Sequence, residues 1–275
     1  MKNHFFFQYT GNKRSEVVTI YNQINFDNIN TIVEPFCGSC AVSYYIWTQN
    51  KDKNYKYILN DIDPNLISLL RLIKEGNYKD VEDDVNKIRE EILTYEDDME
   101  SAKKIYLEYI KKNNISSYFL SHKYYALRPA LFPARKQDFK SFYSKIDISQ
   151  HPVYEFFTNA DIELYNEDAF NIIDKYDYET SFMFLDPPYI ERDNTNYIKI
   201  TNKNISNIYE TLYYKKLNNL NCKMMICHEY NWIFKLLFYD YINDDDKYQK
   251  IYSQNVSANT WRKKTYHICA KNYKN

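Results

Sequence analysis

Short runs of β-branched and aromatic residues alternate along the chain with stretches whose apolar positions recur at helical spacing. "TIVEPF" (31–36), "YKYILND" (55–61), "SFMFLDPP" (181–188) and "CKMMICHEY" (222–230) read as strands. "AVSYYIWTQ" (41–49) and "NLISLLRLIKEG" (65–76) read as helices, the second closing on Gly76 as its C′ residue. Strand followed by helix, repeated, predicts an open, mostly parallel α/β sheet of Rossmann-like type. In such a sheet ligands bind at the carboxyl ends of the strands.

Between Gly76 and about residue 155 the strand pattern fades and charge segregates. From 75 to 100 eleven acidic side chains accompany three basic ones, and from 101 to 145 ten basic side chains accompany two acidic ones. The basic half also carries Tyr118, Phe119, Tyr124, Tyr125, Phe132, Phe139, Phe142 and Tyr143. Solvated faces of a helical lobe account for this pattern; so does a surface made for phosphate contacts and base stacking. The predicted organisation is an α/β domain from 1–75 and 155–275 with an inserted, mainly helical lobe at 76–154.

Overall charge adds little, because 36 basic and 37 acidic residues leave a net of −1, so any nucleic-acid contact has to come from local patches. Glycine is more telling. The chain has 3, where average usage would give roughly 19, so each survivor marks a backbone position that needs it. Five cysteines without a regular framework point to no disulfide scaffold, and Cys37 and Cys40 lack the second pair or nearby histidine of a zinc site. No metal is expected. With no apolar run of membrane-spanning length and no signal-type start, the expectation is a soluble intracellular protein.

Three stretches carry candidate chemistry. In "TIVEPFCGSCAVSYYIW" (31–47) a strand ends on an acid, turns at Gly38 and enters a helix, as where a first strand turns over a cofactor. Asp61 follows about twenty residues later at the next strand's end, where an acid can accept hydrogen bonds from ribose hydroxyls, while Asp63 and Pro64 read as a helix N-cap and N1 pair. In "SFMFLDPPYI" (181–190) an apolar strand stops on Asp186, Pro187 and Pro188 fix the backbone, and Tyr189 offers a flat face. A carboxylate and a held carbonyl beside an aromatic ring suit a planar group bearing an NH2, with two acceptors for two donors.

On these residues the chain resembles the Dam-like DNA adenine-N6 methyltransferases over nearly its whole length, in that family's order of cofactor region, recognition lobe and catalytic region. "FFFQYTGNK" (5–13) is similar to the family's N-terminal motif, which implies cofactor contacts by Tyr9, Gly11 and Lys13. "VEPFCGSCAV" (33–42) is similar to its glycine loop, implying Glu34, Phe36, Gly38, Ser39 and Cys40 at the cofactor. "LNDIDPNLI" (59–67) matches the ribose acid through Asp61, and "NEDAF" (166–170) the later contact through Asp168 and Ala169. "DPPY" matches the catalytic tetrapeptide, Asp186 to Tyr189, with Asp186 also at the cofactor.

Three positions depart from the pattern: Cys40 replaces a glycine, predicting a crowded cofactor; Ala169, with Phe170 beside it, replaces an aromatic; and "SSYFLSHKYYALRPALFPARKQ" (116–137) matches the DNA-reading loop only loosely.

The resemblance implies S-adenosylmethionine as cofactor, double-stranded DNA as partner and methyl transfer to a flipped adenine, with oligomeric state left open. Lys123, Arg128, Arg135 and Lys136 are the candidate nucleic-acid contacts, and the basic tail "WRKKTYHICAKNYKN" (261–275) is a weaker candidate that also reads as a last-strand edge. An RNA adenine methyltransferase, or a binding protein with a degenerate cofactor loop, fits the same residues.

Overall fold

A computed structural model describes residues 5–7, 9, 11–123, 143–189, 208–212, 220–256 and 259–274. Its backbone forms two compact units, one from Met1–Arg14 and Asp63–Ala160, the other from Ser15–Ile62 and Asp161–Asn275.

The second unit is built on a seven-stranded sheet. Strand β1 (Thr31–Glu34) lies between β2 (Lys56–Asn60) and β4 (Ser181–Leu185), β3 (Asp161–Tyr165) lies outside β2, and β5 (Lys223–Glu229) outside β4; all these pairings are parallel. β6 (Tyr248–Val256) and β7 (Asn259–Lys271) form an antiparallel hairpin, with β7 against β5, giving the order β3-β2-β1-β4-β5-β7-β6. This is the Rossmann-like sheet the alternating pattern predicts, with its switch point between β1 and β4. The basic tail is not an edge: β7 is interior and β6 closes the sheet.

Burial explains the strand order. All five residues of β4 are buried, as are all but the ends of β5 and all but the first residue of β1 and β2, as central strands require. Their side chains pack with Ile172 and Ile173 of the helix Ala169–Lys175, and with Phe234 of the helix Trp232–Leu237. Burying each such side chain contributes about 1.5–3 kcal/mol. β3 buries only Ile162 and is guarded by charge, with Lys56 Nζ 2.6 Å from Glu163 Oε1.

The second unit also carries the helices α1 (Val17–Tyr21) and α2 (Ala41–Gln49), and the described part of the first unit is helical: α3 (Pro64–Lys74), α4 (Lys79–Leu93), α5 (Met99–Ile110), α6 (Ile115–Lys123) and the helix Pro152–Asn159. Asp63 caps α3 as expected, its Oδ1 accepting from the Asn65 and Leu66 amides at 3.0 and 3.4 Å, and Gly76 ends the turn beyond it at φ +77°. α4 buries Val81, Val85, Ile88 and Ile92 along one stripe and turns most of its acids outward. Its Asn86 side chain pairs with both backbone groups of Ile146, at 2.9 Å each. The compact unit begins at Asp63, earlier than the lobe limit of 76 read from the sequence, because α3 packs on α6 and on Pro152–Asn159. Among the described residues no helix is long and apolar enough to cross a membrane.

Candidate active site

The turn after β1 is tight and left-handed at two positions. Gly38 has φ +45° and Cys40 φ +53°, immediately before the helix Ala41–Gln49. The buried Glu34, last residue of β1, accepts the Ser43 amide at 2.5 Å and so ties the strand end to the first turn of that helix. Phe36 is half-buried against the core, and Ser39 is buried. Cys40 is fully enclosed, with Sγ 3.8 Å from the Gly38 carbonyl oxygen, so its thiol does not protrude over the turn. Burial pushes both the Cys37 and the Cys40 thiol up from the ordinary value, which makes them poor nucleophiles.

Asp61 joins the ends of β1 and β2, its Oδ2 accepting the Gly38 amide at 3.0 Å. Next to it stands a residue that sequence reasoning missed. Asn60 is buried and links three loops: its Nδ2 donates to the carbonyls of Pro35 at 2.9 Å and Glu167 at 3.1 Å, while its Oδ1 accepts the Glu167 amide at 2.9 Å. An asparagine ending an otherwise apolar strand is the signal that marked it.

Asp168 is exposed and caps the helix Ala169–Lys175 by accepting the Phe170 amide at 2.8 Å. Ala169 is half-buried, and the adjacent Phe170 packs against the core. The parallel sheet therefore gathers Glu34 to Cys40, Asp61, Asp168 and Asp186 at the carboxyl ends of four neighbouring strands.

Asp186 follows β4 and is half-buried, whereas Pro187 and Pro188 are buried. The Tyr209 hydroxyl donates to the Pro188 carbonyl at 3.2 Å, which helps fix the turn. Tyr189 packs its ring against His228 at 4.6 Å and His267 at 5.5 Å. Burial, then the nearby Cys227, Asp186 and Glu16, hold its hydroxyl well above the usual phenol range.

Behind Tyr189 lies a buried polar cluster that no sequence pattern announces. Glu16 forms ion pairs with Lys250 and, at 2.7 Å, with His267 Nδ1, and accepts the Tyr248 hydroxyl at 3.0 Å. Burial lowers the His267 pKa, but hydrogen bonds to Cys227 and Glu16 outweigh it and raise it to about 9. Glu16, Cys227 and His267 have metal-ligand chemistry, with donor atoms within 4.8 Å of one another. Glu16 is already engaged in two ion pairs, however, and Lys250 supplies the counter-charge a cation would bring.

In the first unit, the Asn12 side chain donates to the Tyr9 carbonyl at 2.8 Å, Gly11 has φ +78°, and the buried Lys13 donates to the Gly11 carbonyl at 3.3 Å. Lys123 Nζ donates to the Phe6 carbonyl at 2.9 Å and lies 3.4 Å from His151 Nε2, and burial lowers its pKa to about 8. That commits its ammonium to internal packing, unlike the exposed phosphate contact expected of it. Arg128, Arg135 and Lys136 lie outside the described residues.

A Rossmann-like sheet with a glycine turn, strand-end acids and an Asp-Pro-Pro-Tyr corner after its central strand has the arrangement of a methyltransferase. A family model described as D12 class N6 adenine-specific DNA methyltransferase matches residues 9–266, and the chain belongs to that family. It is accordingly an enzyme of DNA adenine-N6 methylation.

The chain is 24% identical over 191 residues to the type II methyltransferase M.CviBI of Paramecium bursaria Chlorella virus NC1A, covering 66% of this chain and 67% of the relative. It is also 24% identical over 234 residues to the type II methyltransferase M.MjaIII of Methanocaldococcus jannaschii, covering 78% and 79%. Among solved structures, the rRNA methyltransferase aviRa from Streptomyces viridochromogenes superposes at a TM-score of 0.33 and 11% identity, covering 94% of this chain and 83% of that one.

Proposed function

We propose that the enzyme methylates the amino group of an adenine turned out of duplex DNA, with Asp186, Pro187, Pro188 and Tyr189 receiving the base and the neighbouring strand ends holding S-adenosylmethionine. The observation that carries this reading is a carboxylate and two φ-locked prolines closing the fully buried β4, beside the left-handed turn of β1 at the sheet's switch point.

Family membership implies use of S-adenosylmethionine. The donor set suits that cofactor. Asp61 and Asp168 are acceptors for hydroxyls and amino groups, and the Gly38 turn admits close backbone approach. Glu34, Phe36, Ser39, Cys40, Ala169 and Asp186 complete the assignment in the sheet, and Tyr9, Gly11 and Lys13 are assigned to the cofactor on the resemblance of the N-terminal motif alone. When bound, the cofactor supplies an electrophilic sulfonium methyl group.

Asp186 and the Pro187 carbonyl accept the two N–H bonds of the adenine amino group. This draws the nitrogen toward pyramidal geometry and localises a lone pair that the ring otherwise delocalises. Orientation then supplies much of the rate. The Asp186 carboxylate stabilises the positive charge that grows on nitrogen, and after transfer the extra proton passes from that nitrogen to water. Tyr189 stacks on the base, which a stacked duplex would otherwise shield.

The lobe at 76–154 reads the target, with Arg128, Arg135 and Lys136 on phosphates. Turnover on duplex DNA, single-stranded DNA and RNA of one sequence tests the substrate. Duplex DNA is expected to be preferred, with binding that weakens as salt rises. Equal transfer to RNA would overturn the assignment.

A further inference from the structure

Behind the Asp186 to Tyr189 corner three rings stand in line. His228, near the end of β5 and buried, lies 4.6 Å from the Tyr189 ring at 35° and 4.6 Å from the Phe234 ring at 11°. Phe234 is backed in turn by Phe238 at 4.7 Å, and both are fully buried. Tyr209 meets the edge of His228 at 5.3 Å and 83° while its hydroxyl holds the Pro188 carbonyl.

The imidazole cannot turn easily. His228 Nδ1 lies 2.5 Å from the Glu229 carbonyl oxygen, and since a carbonyl only accepts, Nδ1 carries a proton and the ring plane is set. Neighbouring residues on a strand point to opposite sheet faces. His228 therefore shares its face with Met224 and Ile226, which pack in the core with Phe234, and the opposite face carries Cys227, paired across to Cys269. His267 closes on Tyr189 at 76°.

We propose that His228 is a positioning residue for methyl transfer: its ring covers one face of Tyr189 and sets the plane on which the target base stacks. The proposal rests on the reading of Tyr189 as the base platform. A tyrosine side chain swings about two torsions, and a reacting group must be held within about 10–20° of productive geometry. The column Phe238–Phe234–His228 carries that constraint from the core of the sheet to the reactive corner.

The test compares His228→Phe, which keeps a flat ring, with His228→Leu, which fills the space without one. Cofactor binding by calorimetry, kcat and KM for duplex DNA are measured for both. The expected result is an unchanged cofactor Kd, a kcat for His228→Leu down by about 10- to 100-fold, and recovery of most of that loss in His228→Phe.

A His228→Leu enzyme with wild-type kcat overturns the proposal. So does loss of cofactor binding together with turnover in both variants, which marks His228 as structural. Tyr189→Ala, measured alongside, separates the two layers. If it turns over like the wild type, the reading of Tyr189 as platform fails and the proposal falls with it; if it is slow while His228→Leu is not, the proposal alone fails.

Discussion

Asp186 follows a strand whose five residues are all buried, and the proposed transfer rests on its carboxylate. Asp186→Ala is expected to lower kcat by about 10²–10³-fold or more, while calorimetry shows little change in cofactor affinity. Cys40→Gly is expected to leave the cofactor Kd essentially unchanged, because the thiol is enclosed; a marked gain in affinity would show that the crowding expected from the sequence is real.

His267 bears on stability. Its pKa is raised to about 9 by Cys227 and Glu16 against the pull of burial, so its stabilising contribution is complete below the unfolded value near 6.5 and is lost as pH rises through about 9. Thermal denaturation should therefore show Tm falling between pH 7 and 9.5, with a shallower fall in Glu16→Gln. Equal slopes would exclude this pair as the cause.

The corner residues were legible because Asp, Pro, Pro and Tyr are contiguous. The Glu16 cluster was not, since Glu16, Cys227, Tyr248 and His267 come from four separate segments that only the sheet brings together.

At the scale of elements, the strands buried on both faces and the helix after β2 could be read from the chain, down to the Asp63 cap. β3 could not, because an edge strand reading "DIELY" buries one residue and resembles a loop. Of the β6–β7 hairpin the sequence shows only β7, read as an edge; β6 escaped because its polar sequence has no alternation strong enough to mark a strand, and it is held by long antiparallel pairing to β7.

Gly76 isolates a single local term. It has φ +77°, and a Cβ there would meet nothing within 4 Å, so Gly76→Ala is expected to cost only the left-handed strain of about 1–2 kcal/mol in urea denaturation. A larger loss would mean that the turn has a packing role.

For the whole molecule, the alternation of strand and helix was enough to expect a mostly parallel sheet, and the fade of that alternation after Gly76 was enough to expect a helical insertion. Its boundary was misjudged by one helix, since the apolar face of α3 does not reveal from sequence which partner will cover it. The central claim is that Asp186 directs methyl transfer to adenine N6 in duplex DNA. Plasmid DNA recovered after expression in a methylation-free host, sequenced for modified bases, tests it most directly. Wild-type enzyme should leave N6-methyladenine at a defined sequence, and Asp186→Ala should leave none; methylation on cytosine, or adenine methylation that persists in Asp186→Ala, would contradict it.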